Sequence, residues 1–144
     1  MIVAVRPCCE SDIVPIWKLN CEALGHYYPM KATLQKLQTL IQSESNRIIV
    51  ALINNEVVGY AHACDYDVLY GPHMKDLLAI AVSEKHRHQG IGSVLMEQIE
   101  NWARATGAKG VRLVTNKIRV GAHAFYRNRG YTCTKDQKNF RKMF

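Results

Sequence analysis

Several protein classes are excluded by what this 144-residue chain lacks. Its five cysteines (Cys8, Cys9, Cys21, Cys64 and Cys133) are odd in number and form no C-x-x-C pair, so neither a disulfide framework nor the usual zinc spacing is present. The six histidines offer no H-E-x-x-H, and His86 and His88 sit beside basic residues that repel a cation, so no metal is expected. No apolar run reaches the length of a membrane span, and the apolar start is cut off by Arg6 and Pro7 too early for a signal-peptide core. The expectation is a cytoplasmic protein with no membrane partner. Linkers, repeats and low-complexity tracts are also missing, which makes residues 1–144 a single domain by expectation.

Acidic residues are scarce in one part of the chain only. Residues 85–144 hold three Asp/Glu against thirteen Lys/Arg, net +10, whereas residues 1–84 hold nine against six, net −3. A basic segment of this kind implies an anionic partner, with nucleic acid as a rival to a small anion.

The elements alternate from there. "MIVAVR" reads as a strand and "SDIVPIWKLNCEALG" as a helix, with Ser11 or Asp12 as cap and Pro15 in the first turn. Leu34, Leu37, Leu40 and Ile41 share a face in "ATLQKLQTLIQ", a second helix. "RIIVALI" and "VVGYAHAC" are two β-rich runs joined across Asn54 and Asn55, a hairpin signal. "LLAIAV", residues 77–82, is a continuous apolar run of the kind buried in mid-sheet. Val94, Leu95, Ile99, Trp102 and Ala103 then mark a helix stopped by Gly107. "VRLVT" is a strand and "VGAHAFYRNR" a helix closed by Gly130, and "YTCT" and "NFRKMF" can pair as a final hairpin across "KDQK". The predicted order is β-α-α-β-β-β-α-β-α-β-β, a mixed α/β fold.

A buried strand, a glycine loop with Arg87 and a helix start form an anion site, because free backbone N–H groups and the positive end of the helix dipole converge where glycine permits close approach. The Walker pattern is absent, and G-x-G-x-x-G fails with Leu95 at the third glycine position. The stretch does match R-x-x-G-x-G, as Arg87-His88-Gln89-Gly90-Ile91-Gly92, followed downstream by "AHAFYRNRGY". In these features the sequence resembles the GNAT superfamily of acetyl-CoA-dependent N-acetyltransferases. That resemblance implies a central mixed, mostly antiparallel sheet flanked by helices.

It further implies acetyl-CoA as co-substrate and an amine as acceptor. The coenzyme's pyrophosphate would lie on the loop of Arg87, His88, Gln89, Gly90, Ile91, Gly92 and Ser93, and its pantetheine arm would pair with Ile80, Ala81 and Val82. Asn116 and Tyr126 correspond to the residues that face the pantetheine and the thioester sulfur. A backbone N–H where the "LLAIAV" strand leaves its neighbour would hold the oxyanion.

The chemistry requires a neutral amine as attacker and a stabilised thiolate as leaving group. A phenol with a pKa of about 10 is a slightly uphill donor to a thiolate whose thiol has a pKa of about 8.5, so Tyr126 can act by hydrogen bonding as much as by proton transfer. For the base, Asp76 and His62 rank first, ahead of Glu84 and His73, and ordered water also serves some members of the family. Asp65, Asp67 and Asp76 lie close in sequence and suggest a cationic acceptor. Small-molecule amines and protein amines both stay open, as does homodimerisation. The rival readings are a basic nucleic-acid-binding module, suggested by Arg104, Lys109, Arg112, Lys117, Arg119, Arg127 and Arg129, and a coenzyme A sensor without turnover.

Overall fold

The computed structural model describes residues 2–144, and the chain divides into two compact units between Val114 and Thr115. The first unit is a five-stranded sheet with helices on both faces. Strands β1 (Ala4–Pro7), β2 (Asn46–Ile53), β3 (Glu56–Tyr66) and β4 (Met74–Val82) are antiparallel neighbours in chain order, and β5 (Val111–Leu113) runs parallel to β4.

Local sequence accounts for most boundaries. Helix α1 (Ile13–Glu22) follows a single 3-10 turn at Glu10–Asp12, where the Asp12 carboxylate accepts the Cys9 N–H at 2.9 Å. The Arg6 guanidinium holds the same carboxylate through bonds of 2.8 and 2.9 Å. Helix α2 (Met30–Leu40) begins directly after Pro29, whose carbonyl accepts both the N–H and the hydroxyl of Thr33. The β2–β3 turn puts Asn54 and Asn55 at φ of +50° and +63°, the left-handed pair that a two-residue hairpin needs.

One sheet face packs Ile48, Val50, Leu52, Tyr60 and Ala81 against Ile16 and Leu19 of α1, Leu37 of α2 and Cys8. The other face takes helix α3 (Ile91–Ala105), which lies across β2, β3 and β4 and buries Ile91, Leu95, Met96 and Ile99 completely. Each such side chain contributes roughly 1.5–3 kcal/mol of burial. The helix comes close because the strand surface is small. A Cβ on Gly59 would stand 2.9 Å from the Ala81 carbonyl oxygen and 3.4 Å from Leu95.

The apolar run of β4 is not buried throughout, as its sequence suggested. Leu77 and Ala81 are buried, but Leu78 is 53% exposed. It is the extra residue of a bulge, because His62 pairs with Ala79 while Ala63 pairs with Leu77. The β5 ladder also stops at Leu77.

The second unit contains α4 (Val120–Asn128), closed by Gly130 at φ +92° and by the Tyr131 N–H on the Tyr126 carbonyl at 3.0 Å. The predicted final hairpin is not formed, for residues 131–144 contain no strand. "KDQK" has no glycine to follow Asp136 in a tight turn, "NFRKMF" has no clean alternation, and an isolated hairpin is marginal in water. Phe140, Met143 and Phe144 are correspondingly exposed. The observed order is β-α-α-β-β-β-α-β-α, a mostly antiparallel mixed α/β arrangement.

Candidate active site

The loop between β4 and α3 is built from backbone. After β4 the Ser83 N–H bonds the Val58 carbonyl at 2.8 Å, and a 3-10 turn over Glu84–His86 leads to Arg87, whose Nε reaches the Val82 carbonyl at 3.5 Å. His88 then adopts φ +61°, and Gly90 caps α3 at φ +83°. Left-handed residues alternating with ordinary ones turn successive N–H groups toward one point, a backbone nest for an anion. The first amide of this stretch to find a helical acceptor is that of Val94, on the Gly90 carbonyl at 3.1 Å. Among the described residues, the amides of residues 88–93 have no backbone acceptor. The space over Gly90 is open, since a Cβ there would meet nothing within 4 Å.

Next to this loop, β4 offers a free edge. Lys75, Asp76 and Leu77 pair with Val111, Arg112 and Leu113, and beyond Leu77 no strand lies on that side among the described residues. Ile80, Ala81 and Val82 therefore belong to an edge that an extended amide-bearing chain can pair with.

A polar row occupies the sheet face that carries α1 and α2, beyond the apolar cluster. His62, Cys64 and Tyr66 alternate along β3, and Asp76 stands across from Cys64. Arg112 donates to Asp76 at 3.1 Å and stacks over the Tyr66 ring at 4.3 Å. His62 Nε2 lies 2.8 Å from Asn46 Oδ1. Burial lowers the His62 pKa and so keeps the ring neutral, whereas it raises that of Asp76 against the opposing pull of Arg112. Burial also raises the Cys64 thiol, with Asp76 and Asp65 adding to it.

The other acidic candidates are placed differently. Asp65 lies on the α3 face, where it pairs with Lys75, a side chain 3% exposed whose Nζ sits 4.1 Å over the Trp102 ring. His73 bonds Asp67 at 2.8 Å and stands 3.9 Å from Asp65. The three aspartates thus do not form one cluster. Asp65 and Asp76 lie on opposite faces, each against a cation, while Asp67 lies past the end of β3 and bonds His73. Glu84 is exposed at the start of the 3-10 turn.

In the second unit, Tyr126 makes edge-on contacts with Phe125 and Tyr131 at centroid distances of 5.3 and 5.8 Å. Burial raises its phenol pKa, and Arg119 opposes the shift. The side chain of Asn116 is turned into its own loop, its Oδ1 accepting the Ile118 N–H at 3.1 Å. The sequence did not point to Asn46, and it offered Arg112 only among the basic residues of a nucleic-acid surface. Both meet their partners through strand register, which no local pattern signals.

A sequence model of the acetyltransferase (GNAT) family matches residues 13–131. An aminoalkylphosphonate N-acetyltransferase of Salmonella typhimurium is 29% identical over 134 residues, covering 88% of this chain and 87% of the relative. The crystal structure of aminoglycoside antibiotic 6'-N-acetyltransferase AAC(6')-Ih from Acinetobacter baumannii superposes with a TM-score of 0.84 at 20% identity, covering 99% of both chains. AAC(6')-Iy, in complex with the bisubstrate analogue CoA-S-monomethyl-acetylneamine, superposes with a TM-score of 0.88 at 16% identity, covering 100% of both.

Proposed function

Because the chain belongs to the acetyltransferase (GNAT) family, we propose that it moves the acetyl group of acetyl-CoA onto the primary amine of a small molecule. The observation that carries this reading is the loop of residues 87–93, whose amides from residue 88 onward lack a backbone acceptor and whose left-handed Gly90 adjoins the free edge of β4. These fit the two parts of the co-substrate: the nest and the α3 dipole suit a pyrophosphate, and the edge of Ile80, Ala81 and Val82 suits the amides of the pantetheine arm. The names of the relative and of the fold neighbours, which act on aminoalkylphosphonates and aminoglycosides, support a small-molecule amine. With Asp65, Asp67 and Asp76 each partnered, the reading does not require a polycationic acceptor.

His62 is assigned as the base. Burial keeps its ring neutral and only its Nε2 is engaged, by Asn46, whereas Asp76 is paired with Arg112. One proton leaves the acceptor ammonium for His62, the C–N bond forms as the C–S bond breaks, and the nitrogen loses its second proton. One of these protons ends on the thiol and the other in solvent. An edge N–H of β4 beyond Leu77 would face the developing charge on the carbonyl oxygen. Tyr126 is assigned as the donor to the leaving thiolate. We take residues 1–144 to act as one acetyltransferase domain, because the family match runs across the Val114/Thr115 boundary. A cytoplasmic location is supported by the five free cysteines. None of the helices among the described residues is long and apolar enough to cross a membrane.

The test is thiol release from acetyl-CoA across a panel of primary amines that includes aminoalkylphosphonates, aminoglycosides, polyamines and lysine peptides. Release above the hydrolytic background with at least one small amine is expected. Release with no member of the panel, together with no effect of acetyl-CoA on the melting temperature, overturns the reading.

A further inference from the structure

We propose that Asn46 is a positioning residue for acetyl transfer, its side-chain oxygen locking His62 in the Nε2–H tautomer and leaving the Nδ1 lone pair to receive the acceptor's proton. This rests on the reading of His62 as the base. Asn46 opens β2 opposite Cys64, two register positions along from the Ile48–His62 pair and on the same face, so its side chain reaches the ring diagonally. Asn46 Nδ2 donates to Ser43 Oγ at 3.2 Å and to Ser45 Oγ at 3.5 Å, which leaves Oδ1 as the atom 2.8 Å from the imidazole. An amide oxygen only accepts, so Nε2 must carry the hydrogen, and a neutral ring then holds a bare lone pair at Nδ1.

Nδ1 makes no hydrogen bond to protein among the described residues, and it is not one of the sealed unpartnered atoms, so it opens to solvent. When a proton moves from the acceptor ammonium to Nδ1, the N–H electron pair stays on the amine and the ring becomes an imidazolium. The Asn46 carbonyl dipole then faces the positive Nε2–H and stabilises it. The titratable groups sharing this face are Tyr60, Cys64 and Tyr66 of β3, Asp76 of β4 and Arg112 of β5, and the last two neutralise each other. Helices α1 and α2 expose their own charges, Lys18, Glu22, Lys31 and Lys36, to solvent. Burial is the sole cause of the His62 shift.

Three measurements decide it. Nitrogen-15 NMR of the ligand-free wild type should show the Nε2–H tautomer at His62. Asn46→Leu should lower kcat by about 10- to 100-fold, the loss that follows removal of an outer partner from a metal-bound imidazole. Asn46→Asp keeps the acceptor and adds a negative charge, so it should restore much of kcat while moving the acid limb of the kcat/KM profile up by about one pH unit. An asparagine that only ties β2 to the Ser43–Ser45 turn would change the melting temperature but neither the tautomer nor the limb. An Nδ1–H tautomer in the wild type overturns the proposal, and so do both Asn46 variants keeping wild-type kcat and pH profile while His62→Gln is slow. If His62→Gln itself keeps wild-type kcat, the base assignment fails and the role of Asn46 fails with it.

Discussion

Asp12 and Tyr126 show how one side chain can serve the scaffold or the chemistry. The hydrogen bonds from Arg6 lower the Asp12 carboxyl to about 2, against the opposing effect of burial, with the Cys9 N–H helping. A carboxylate held this way stabilises the fold above its unfolded pKa of about 3.9, and that stability is lost as pH falls toward the folded value. Arg6 is partly exposed, so screening reduces the pair to on the order of 1–2 kcal/mol. Asp12→Asn should therefore lower the melting temperature at pH 7, and most of the difference from wild type should be lost by pH 2. An equal difference at both pH values would mean that the hydrogen bonds act without the charge. For Tyr126, replacement by phenylalanine keeps the ring packing on Phe125 and Tyr131 and removes only the hydroxyl. Turnover should fall by about 10²- to 10⁴-fold with coenzyme affinity little changed, as measured by kcat and by titration calorimetry. Wild-type turnover would make this tyrosine a packing residue.

At the scale of elements, β4 and α3 act together because each leaves backbone groups unused. The bulge at Leu78 and the end of β5 at Leu77 free the edge of one, and the left-handed Gly90 opens the N-terminus of the other. Gly90 can be tested for charge and for strain separately. At φ +83° any L side chain is strained by about 1 kcal/mol, yet nothing nearby would clash with it. Gly90→Asn and Gly90→Asp should then melt alike without ligand. Acetyl-CoA at a hundred times its dissociation constant should stabilise the wild type by about 2.7 kcal/mol. The asparagine variant should keep much of that shift, and the aspartate variant should lose it through repulsion of the phosphates. Equal shifts in both variants would place the coenzyme elsewhere. Gly59 supports the same junction from beneath, since a Cβ there would press on the Ala81 carbonyl of β4 and on Leu95 and Ile91 of α3.

Across the whole molecule, charge and chain order were legible in the sequence, while contacts made through register were not. The basic excess after residue 85 remains on the surface, where Arg104, Lys109, Lys117, Arg119 and Arg127 are exposed. Of the nine acidic residues before it, the four aspartates Asp12, Asp65, Asp67 and Asp76 pair with Arg6, Lys75, His73 and Arg112, and the five glutamates are exposed. The nine elements formed follow from periodicities of 3.6 and 2, and the coenzyme loop follows from glycines whose backbone freedom is a local property. The sequence by itself thus determined where helices and strands run and where an anion can sit against backbone. The tertiary structure alone decided that Asn46 meets His62, that Arg112 engages Asp76 and that Leu78 bulges from β4. The physical reason is one of range. Turn conformations and amphipathic faces are set by neighbours a few residues away, whereas a side chain's partner across a sheet depends on how strands 16 or 36 residues apart come into register.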